Sequence, residues 1–160
     1  MSQSPIFNIV LVEPEIPGNT GSIGRTCLAL GARLHLVRPY GFSLDEKSVR
    51  RAGLDYWKHV DLVEYDSLEE LLEKNQPECI YFFSKKATKP LYEAEFKRDC
   101  WLVFGKETAG LDDELMEKNS DRLLTLPIYS EHVRSLNLSN AATAVAYEAL
   151  RQINFRQTNI

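Results

Sequence analysis

The sequence predicts an α/β fold in which a mostly parallel sheet carries helices on both faces. Short apolar runs alternate along the chain with stretches of helical pattern, an order typical of parallel sheets. These runs are apolar throughout, as expected for strands that are covered on both faces. The chain has 160 residues, 44% of them apolar and 26% charged, which suits one globular domain spanning residues 1–160.

Start and stop signals define the predicted elements. Strands are predicted at residues 7–12, 33–37, 60–64, 79–83, 100–104 and 123–126. Helices are predicted at residues 19–30, 46–52, 67–75, 112–118 and 139–153. Gly31 follows the first helix in a position that favours a helix C-terminus, and Pro39 stops the second strand. Gly53 follows the second helix, while Ser67 and Glu70 form a capping box at the start of the third.

The second half of the chain carries similar signals. A polar loop links the apolar strands at 79–83 and 100–104 without an intervening helix. Acidic residues occupy the first turn of helix 112–118, where the helix dipole favours them. Pro127 ends the last strand, and the alanine-rich segment 139–153 forms the longest helix. Neither a repeat nor a composition break suggests an internal boundary.

Several classes of protein are excluded by composition. Residues 1–5 lack the basic and apolar regions of a signal peptide, and the longest apolar runs are far too short to cross a bilayer. Cys27, Cys79 and Cys100 lie far apart, with no Cys/His cluster, so neither a disulfide framework nor a zinc site is expected. These features predict a cytoplasmic protein with reduced thiols, no metal and no membrane contact.

The charge distribution is uneven. The net charge is −4, which by itself argues against binding to a polyanion. However, residues 25–58 contain seven basic and three acidic side chains, whereas residues 61–78 contain seven acidic and one basic. A basic face opposite an acidic one would still attract nucleic acid locally. Two ordinary solvated faces are the alternative interpretation.

The loop after the first strand is rich in glycine. Gly18, Gly21 and Gly24 recur at a spacing of three, and Arg25 follows directly. Glycines within the first turns of a helix are costly, so a close approach of a ligand or another backbone is expected there. The helix start with Arg25 could bind a phosphate or a ribose. Tight packing between helices is the alternative.

Three later loops also follow strands, and ligands bind beyond the carboxyl ends of parallel strands. Lysines cluster in residues 83–90, where they would either contact phosphates or remain solvated. Residues 104–111 contain Gly105 and Lys106 but lack the upstream glycine of a P-loop, so binding of nucleoside triphosphates is rejected. Glu107 in this turn would orient a basic partner such as Arg25, or cap a helix.

The last of these loops, residues 126–140, is polar and contains no glycine. Apolar Leu136 and Leu138 alternate with polar Ser135, Asn137 and Ser139. This pattern would bury the leucines and hold a small polar ligand, or it would cap the N-terminus of the last helix.

Three parts of the chain resemble the three motifs of the SPOUT-class (α/β-knot) RNA ribose methyltransferases. They are residues 19–25, residues 104–111, and residues 126–128 together with 135–141. The resemblance covers nearly the whole chain. Residues 13–17 and 50–56 are most similar to the small subgroup that methylates the 2′-hydroxyl of the wobble cytidine or uridine of tRNA, for which leucine isoacceptors are the suspected substrates. Methylation of another tRNA or rRNA ribose, and a non-catalytic RNA-binding module that retains the fold, remain alternatives.

The resemblance implies a parallel sheet whose C-terminal segment forms a deep trefoil knot that binds S-adenosylmethionine. The residues implied in cofactor binding are Phe83, Gly105, Leu126, Ile128, Ser135, Leu136 and Leu138. Arg25 would activate the ribose hydroxyl, and Asn19 and Glu107 would orient the side chain of Arg25. Because a guanidinium stays protonated in proteins, we expect Arg25 to hold the phosphate and hydroxyl while a phosphate oxygen or water accepts the proton.

The resemblance also implies a homodimer that binds tRNA. Tyr147, on a helix face of small residues, is the predicted dimer contact. The residues predicted to bind the substrate are Arg134, Asn137, Arg50 and Arg51. Tyr56 and Trp57 would stack on bases, although core packing is equally compatible with their positions.

Overall fold

The computed structural model describes residues 4–44 and 56–155, and within them one parallel sheet organises the chain. The strands are β1 Phe7–Val12, β2 Arg33–Val37, β3 Leu62–Tyr65, β4 Ile80–Phe83, β5 Cys100–Phe104 and β6 Leu123–Leu124. The helices are α1 Pro17–Leu30, α2 Leu68–Asn75, α3 Asp113–Lys118 and α4 Leu138–Asn154. The strand order is β3-β2-β1-β5-β4-β6, and neighbouring strands pair in parallel.

The predicted parallel α/β sheet is therefore confirmed, with shifts at the ends of elements. Helix α1 begins at Pro17, two residues before the prediction, because the ring of proline fixes a helical φ at the first position. Strand β3 begins at Leu62 and not at 60, since Val60 closes a 3₁₀ turn. The predicted helix 46–52 lies outside the described residues. The knot is not tested by the strand order and stays a prediction.

Helices cover both faces of the sheet, as the apolar strands predicted. Successive residues of a strand point to opposite faces. Ile9 and Leu11 of β1 pack in the cluster that contains α1 and α4, whereas Val10 packs in the cluster that contains α2 and α3. Buried small residues of α4, such as Ala142 and Ala146, let this helix lie close to the sheet and to α1.

A polar network crosses the sheet within the core. His35 is 1% exposed; its Nδ1 lies 3.0 Å from the Tyr65 hydroxyl and its Nε2 lies 2.9 Å from the Asn8 side-chain oxygen. Burial lowers the pKa of His35 to about 3, and the nearby Arg33 acts in the same direction. The imidazole is therefore neutral at physiological pH and serves as a satisfied core residue.

The segment after the undescribed residues packs on α1. Trp57 is buried, and a Cβ added to Gly24 would lie 2.5 Å from its Cζ3 atom. The hydroxyl of Tyr56 donates a hydrogen bond to the carbonyl of Gly21. Of the two roles left open for Trp57, the structure supports core packing, because the ring is buried and occupies the space beside Gly24.

Candidate active site

A cavity of about 340 Å³ opens beyond the carboxyl ends of β4, β5 and β6. It lies beside the point where the chain changes direction across the sheet, between β1 and β5, where ligands of parallel α/β proteins bind. All the residues predicted to bind the cofactor line this cavity: Phe83, Gly105, Leu126, Ile128, Ser135, Leu136 and Leu138. Asn19, Glu107 and Asn137 line it as well.

The loop after β5 forms one wall of the cavity. The N–H of Gly110 donates to the carbonyl of Lys106 at 2.9 Å, and Gly110 adopts the left-handed φ of 68° that closes this turn. Gly105 abuts the backbone of Gly110 and Leu111 so closely that no Cβ fits. Because Gly105 has no side chain, backbone atoms of the loop form the surface that a ligand meets.

Two glutamates join this loop to the start of α1. Both oxygens of Glu107 accept backbone N–H groups, from Glu15 at 2.9 Å and from Ile16 at 2.7 Å. One of those oxygens also accepts a bond from the side-chain amide of Asn19 at 3.3 Å. Glu107 therefore orients Asn19, and it satisfies N–H groups at the start of α1, where no side-chain cap is formed.

Glu15 makes the reciprocal connection. It accepts bonds from the backbone N–H of Thr108 at 2.9 Å and from the Thr108 hydroxyl at 2.7 Å. These bonds, the backbone one first, hold the pKa of the Glu15 carboxyl below its usual range. Glu15 was not among the predicted site residues. Its place between Pro14 and Pro17, in a loop that follows a strand, was the available signal.

The start of α4 forms the opposite wall. The side-chain oxygen of Asn137 accepts the N–H groups of Ser139 at 2.9 Å and Asn140 at 3.3 Å, and the Ser139 hydroxyl donates to it at 2.6 Å. Asn137 is thus the N-cap of α4. The helix-cap interpretation of this loop is confirmed, and the residue that caps the helix also lines the cavity. The expected burial of both leucines is wrong for Leu136, which is 44% exposed, because it lies on the exposed loop before α4. Binding of a ligand by this loop stays a prediction.

Arg25, unlike Asn19 and Glu107, does not line the cavity. It is exposed on α1. Its guanidinium lies over the ring of Tyr56, 5.6 Å from the centroid. Within this chain, the structure does not bring Arg25 together with Gly105 and Ser135 around the cavity.

The remaining predicted site residues lie on the surface or outside the described residues. Arg134 is exposed, and the side chain of Tyr147 is 53% exposed. Arg50 and Arg51 lie outside the described residues. Lys85, Lys86 and Lys106 add positive charge to the rim of the cavity, and Lys86 pairs with Asp113 at 3.2 Å.

Within residues 4–44 and 56–155, His, Cys, Asp and Glu side chains form no group of three or more that could hold a metal ion. In the same part of the chain, no helix is both long enough and apolar enough to span a membrane.

Comparison with known proteins identifies the family. The family model described as the SpoU rRNA Methylase family matches residues 6–147, which include every residue that lines the cavity. The chain belongs to this family. The match confirms the predicted resemblance to SPOUT-class methyltransferases, and the three motif segments of this SpoU-family chain are the ones that meet at the cavity.

Individual relatives agree with this assignment. A tRNA (cytidine(34)-2′-O)-methyltransferase of Saccharophagus degradans is 46% identical over 151 residues, which cover 94% of this chain and 97% of the relative. A solved structure described as "Structural insights into the 2-OH methylation of C/U34 on tRNA" is 44% identical, with a TM-score of 0.88 and coverage of 94% of this chain and 97% of its own. This SpoU-family chain thus spans nearly the full length of both.

A more distant member was solved with the cofactor. The methyltransferase AviRb of Streptomyces viridochromogenes in complex with AdoMet is 28% identical, with a TM-score of 0.80 over 94% of this chain and 58% of that one. The cavity of the present SpoU-family protein suits such a ligand. Its volume lies within the range of small-molecule sites, roughly 300–1,000 Å³. Its wall combines apolar side chains, such as those of Phe83 and Leu126, with polar ones, such as those of Asn19 and Ser135.

Proposed function

We propose that this protein transfers a methyl group from S-adenosylmethionine to the 2′-hydroxyl of the wobble nucleotide, cytidine or uridine 34, of tRNA. The observation that carries the proposal is that all three motif segments meet at one cavity at the carboxyl edge of the sheet. The substrate follows from relatives of matching length that bear this activity in their names. Leucine isoacceptors are the expected substrates, and the cytoplasm, where thiols such as those of Cys27, Cys79 and Cys100 stay reduced, is the expected location.

The cofactor would be held mainly by backbone groups. The turns at Gly105, Leu126 and Ile128 would offer N–H and C=O groups to the adenine, and Leu136 and Leu138, which line the same cavity, would contact the cofactor. Ser135 and Asn137, which line the cavity, would fix the substrate ribose or the methionine end of the cofactor. When bound, S-adenosylmethionine supplies an electrophilic methyl group, and the loops described above contribute orientation. No metal is required for this chemistry.

Arg25 would hold the target phosphate and hydroxyl, while water or a phosphate oxygen accepts the proton. A guanidinium stays charged in proteins, so its contribution is to position the substrate and to stabilise the anionic oxygen that develops. The structure supports an indirect role for Glu107, which orients Asn19 and the start of the helix that carries Arg25.

A second copy of the chain would bring Arg25 to a cavity. Arg25 and Leu28 are exposed on α1, and Tyr147 is exposed on α4, the helix that packs against α1. We expect a homodimer through this surface, in which Arg25 of one copy serves the cavity of the other. Analytical ultracentrifugation would give the mass. Mixing an Arg25→Ala protein with a cofactor-site variant should restore activity if the sites are shared, and a monomeric active enzyme would contradict the proposal.

Basic side chains around the cavity would bind the RNA backbone. Lys85 and Lys86 line the rim, and Arg134 is exposed on the loop that leads to α4; Arg50 and Arg51 are the other candidates. Each phosphate contact releases counterions, so the affinity for tRNA should fall as salt rises. A salt-independent affinity would contradict this assignment.

The decisive experiment maps the ribose methyl group by mass spectrometry. In tRNA from cells that lack the protein, the 2′-O-methyl group at nucleotide 34 should be missing, and purified protein with S-adenosylmethionine should restore it. A loss at another tRNA or rRNA position would indicate a different substrate. Calorimetry with S-adenosylhomocysteine separates an enzyme from a non-catalytic RNA-binding module, because a module that only binds RNA needs no cofactor affinity.

A further inference from the structure

Two cysteines face each other at the amino ends of strands β4 and β5, opposite the strand ends that border the cavity. Cys100 is the first residue of β5 and Cys79 immediately precedes β4. The strands pair in parallel with Ile80 opposite Trp101, and the N–H of Trp101 donates to the carbonyl of Cys79 at 2.8 Å. The two cysteines are therefore direct neighbours across the sheet, and their Sγ atoms lie 2.8 Å apart.

This geometry permits a disulfide without rearrangement of the sheet. Adjacent strands lie about 4.8 Å apart, which falls within the Cα separation of roughly 4.4–6.8 Å found for disulfides. The Sγ atoms already point toward each other, so bond formation requires only a small rotation of the side chains. Both thiols are free in the structure.

The two thiols differ in access and in acidity. Cys79 is half-buried, whereas Cys100 is completely buried. The hydrogen bond between the Cys79 and Cys100 sulfurs lowers the pKa of Cys79 below its usual range, and the positive charges of Lys97 and Arg122 act in the same direction. The same contact and burial raise the pKa of Cys100. Cys79 is thus the thiol that an oxidant reaches as a thiolate.

We propose that Cys79 and Cys100 form a site of reversible oxidation by hydroperoxides. The Cys79 thiolate attacks one oxygen of hydrogen peroxide, which breaks the O–O bond and gives Cys79 sulfenic acid and hydroxide. The Cys100 sulfur then attacks the Cys79 sulfur. Its proton and the sulfenic hydroxyl leave as water, and the S–S bond forms. The two electrons lost by the thiols reduce one peroxide molecule, and a small dithiol reverses the reaction.

The site is separate from methyl transfer. It lies at the amino ends of β4 and β5, while the cavity lies at their carboxyl ends, about 15 Å away for strands of this length. The proposal therefore does not depend on the function proposed above. Oxidation would link the two strands that lead to Phe83 and Gly105, so any effect on the cavity would pass through the sheet.

The test exposes the purified full-length protein to hydrogen peroxide under native conditions, blocks the remaining thiols and analyses non-reduced peptides by mass spectrometry. The expected product is a peptide pair linked between Cys79 and Cys100 within one chain, reversed by dithiothreitol. Cys27 provides an internal control. It is completely buried, and burial raises the pKa of its thiol, so it should remain reduced while the pair reacts.

Matched variants make the outcome decisive. Cys27→Ser should form the link as readily as the unmodified protein. Cys100→Ser should leave Cys79 as a sulfenic acid that dimedone traps, and Cys100→Ala serves if a hydroxyl is not tolerated at this apolar position. The proposal is overturned if Cys79 reacts no faster than Cys27, if it links different chains, or if it is trapped equally well by dimedone with Cys100 present.

Discussion

Gly105 offers a sharp test of how the cavity is built, because Ala at this position adds a single methyl group. The new Cβ would overlap the backbone of Gly110 and Leu111, with the Gly110 carbonyl oxygen only 2.6 Å away. Gly105 does not adopt a left-handed φ, so the conflict is one of space alone. The backbone cannot rotate aside as a side chain can, and the turn from Lys106 to Gly110 must move.

The expected cost follows from packing measurements. Overpacking of a closely packed site costs about 1–3 kcal/mol. If most of that cost falls on the cavity-forming conformation, affinity for S-adenosylhomocysteine falls by about fivefold to 150-fold, since 1.4 kcal/mol corresponds to a factor of ten. Titration calorimetry measures the affinity, and denaturant unfolding measures the remaining loss in fold stability.

Gly18→Ala is the matched control. Gly18 lies in the first turn of α1, and a Cβ there would meet nothing within 4 Å. Alanine is favoured over glycine in helices by up to about 1 kcal/mol, so this variant should keep its cofactor affinity and gain slightly in stability. If Gly105→Ala binds the cofactor within about twofold of the unmodified protein, a difference well below 1.4 kcal/mol, the close contact with Gly110 does not shape the cavity.

Three further predictions concern other parts of the molecule. Arg25→Ala should nearly abolish methyl transfer while leaving S-adenosylhomocysteine affinity unchanged, and turnover within about tenfold (1.4 kcal/mol) of the unmodified enzyme would remove Arg25 from the mechanism. Gly24→Ala should lower the free energy of unfolding by about 1–2 kcal/mol. The new Cβ would lie 2.5 Å from Trp57, and the cost of this overpacking exceeds the gain in helix propensity. An unchanged denaturation midpoint would contradict this expectation. The pKa of His35 is about 3 in the folded protein, whereas its ordinary value is 6.5. Between these two pH values, the unfolded chain binds more protons at this residue than the folded protein does. Stability should therefore fall with decreasing pH by at most about 1.4 kcal/mol per unit from this group. His35→Gln should flatten that slope in unfolding experiments, and an unchanged slope would show that other groups govern it.

Local signals predicted most of the fold because they act over short stretches of chain. Ser67 accepts the N–H of Glu70, as the capping box implied, and Gly31 adopts the left-handed conformation that ends α1. The end of the last strand was placed less accurately. The predicted strand extends to Leu126, but pairing with β4 stops at Leu124, because strand length depends on the partner strand and not on the residues alone.

Some residues of the site could be predicted from the order of motifs along the chain, and others could not. The residues of the cofactor cavity follow strand ends, and parallel strands bring their carboxyl ends to one edge, so the order of motifs along the chain was sufficient to group them. The partner of Glu107 was not predictable from order. Its carboxylate binds Glu15, Ile16 and Asn19 across 88 to 92 positions of sequence, and such a pairing exists only once β1 and β5 are neighbours.

Local patterns and motif residues are sufficient to predict the alternation of strands and helices, the polar turns after the strands and the family to which they point. The three-dimensional packing was needed to show that Trp57 fills the space beside Gly24, that Cys79 meets Cys100, and that Arg25 lies outside its own chain's cavity. The physical reason is that side chains distant in sequence interact according to strand order and helix rotation, which are fixed when the whole core packs.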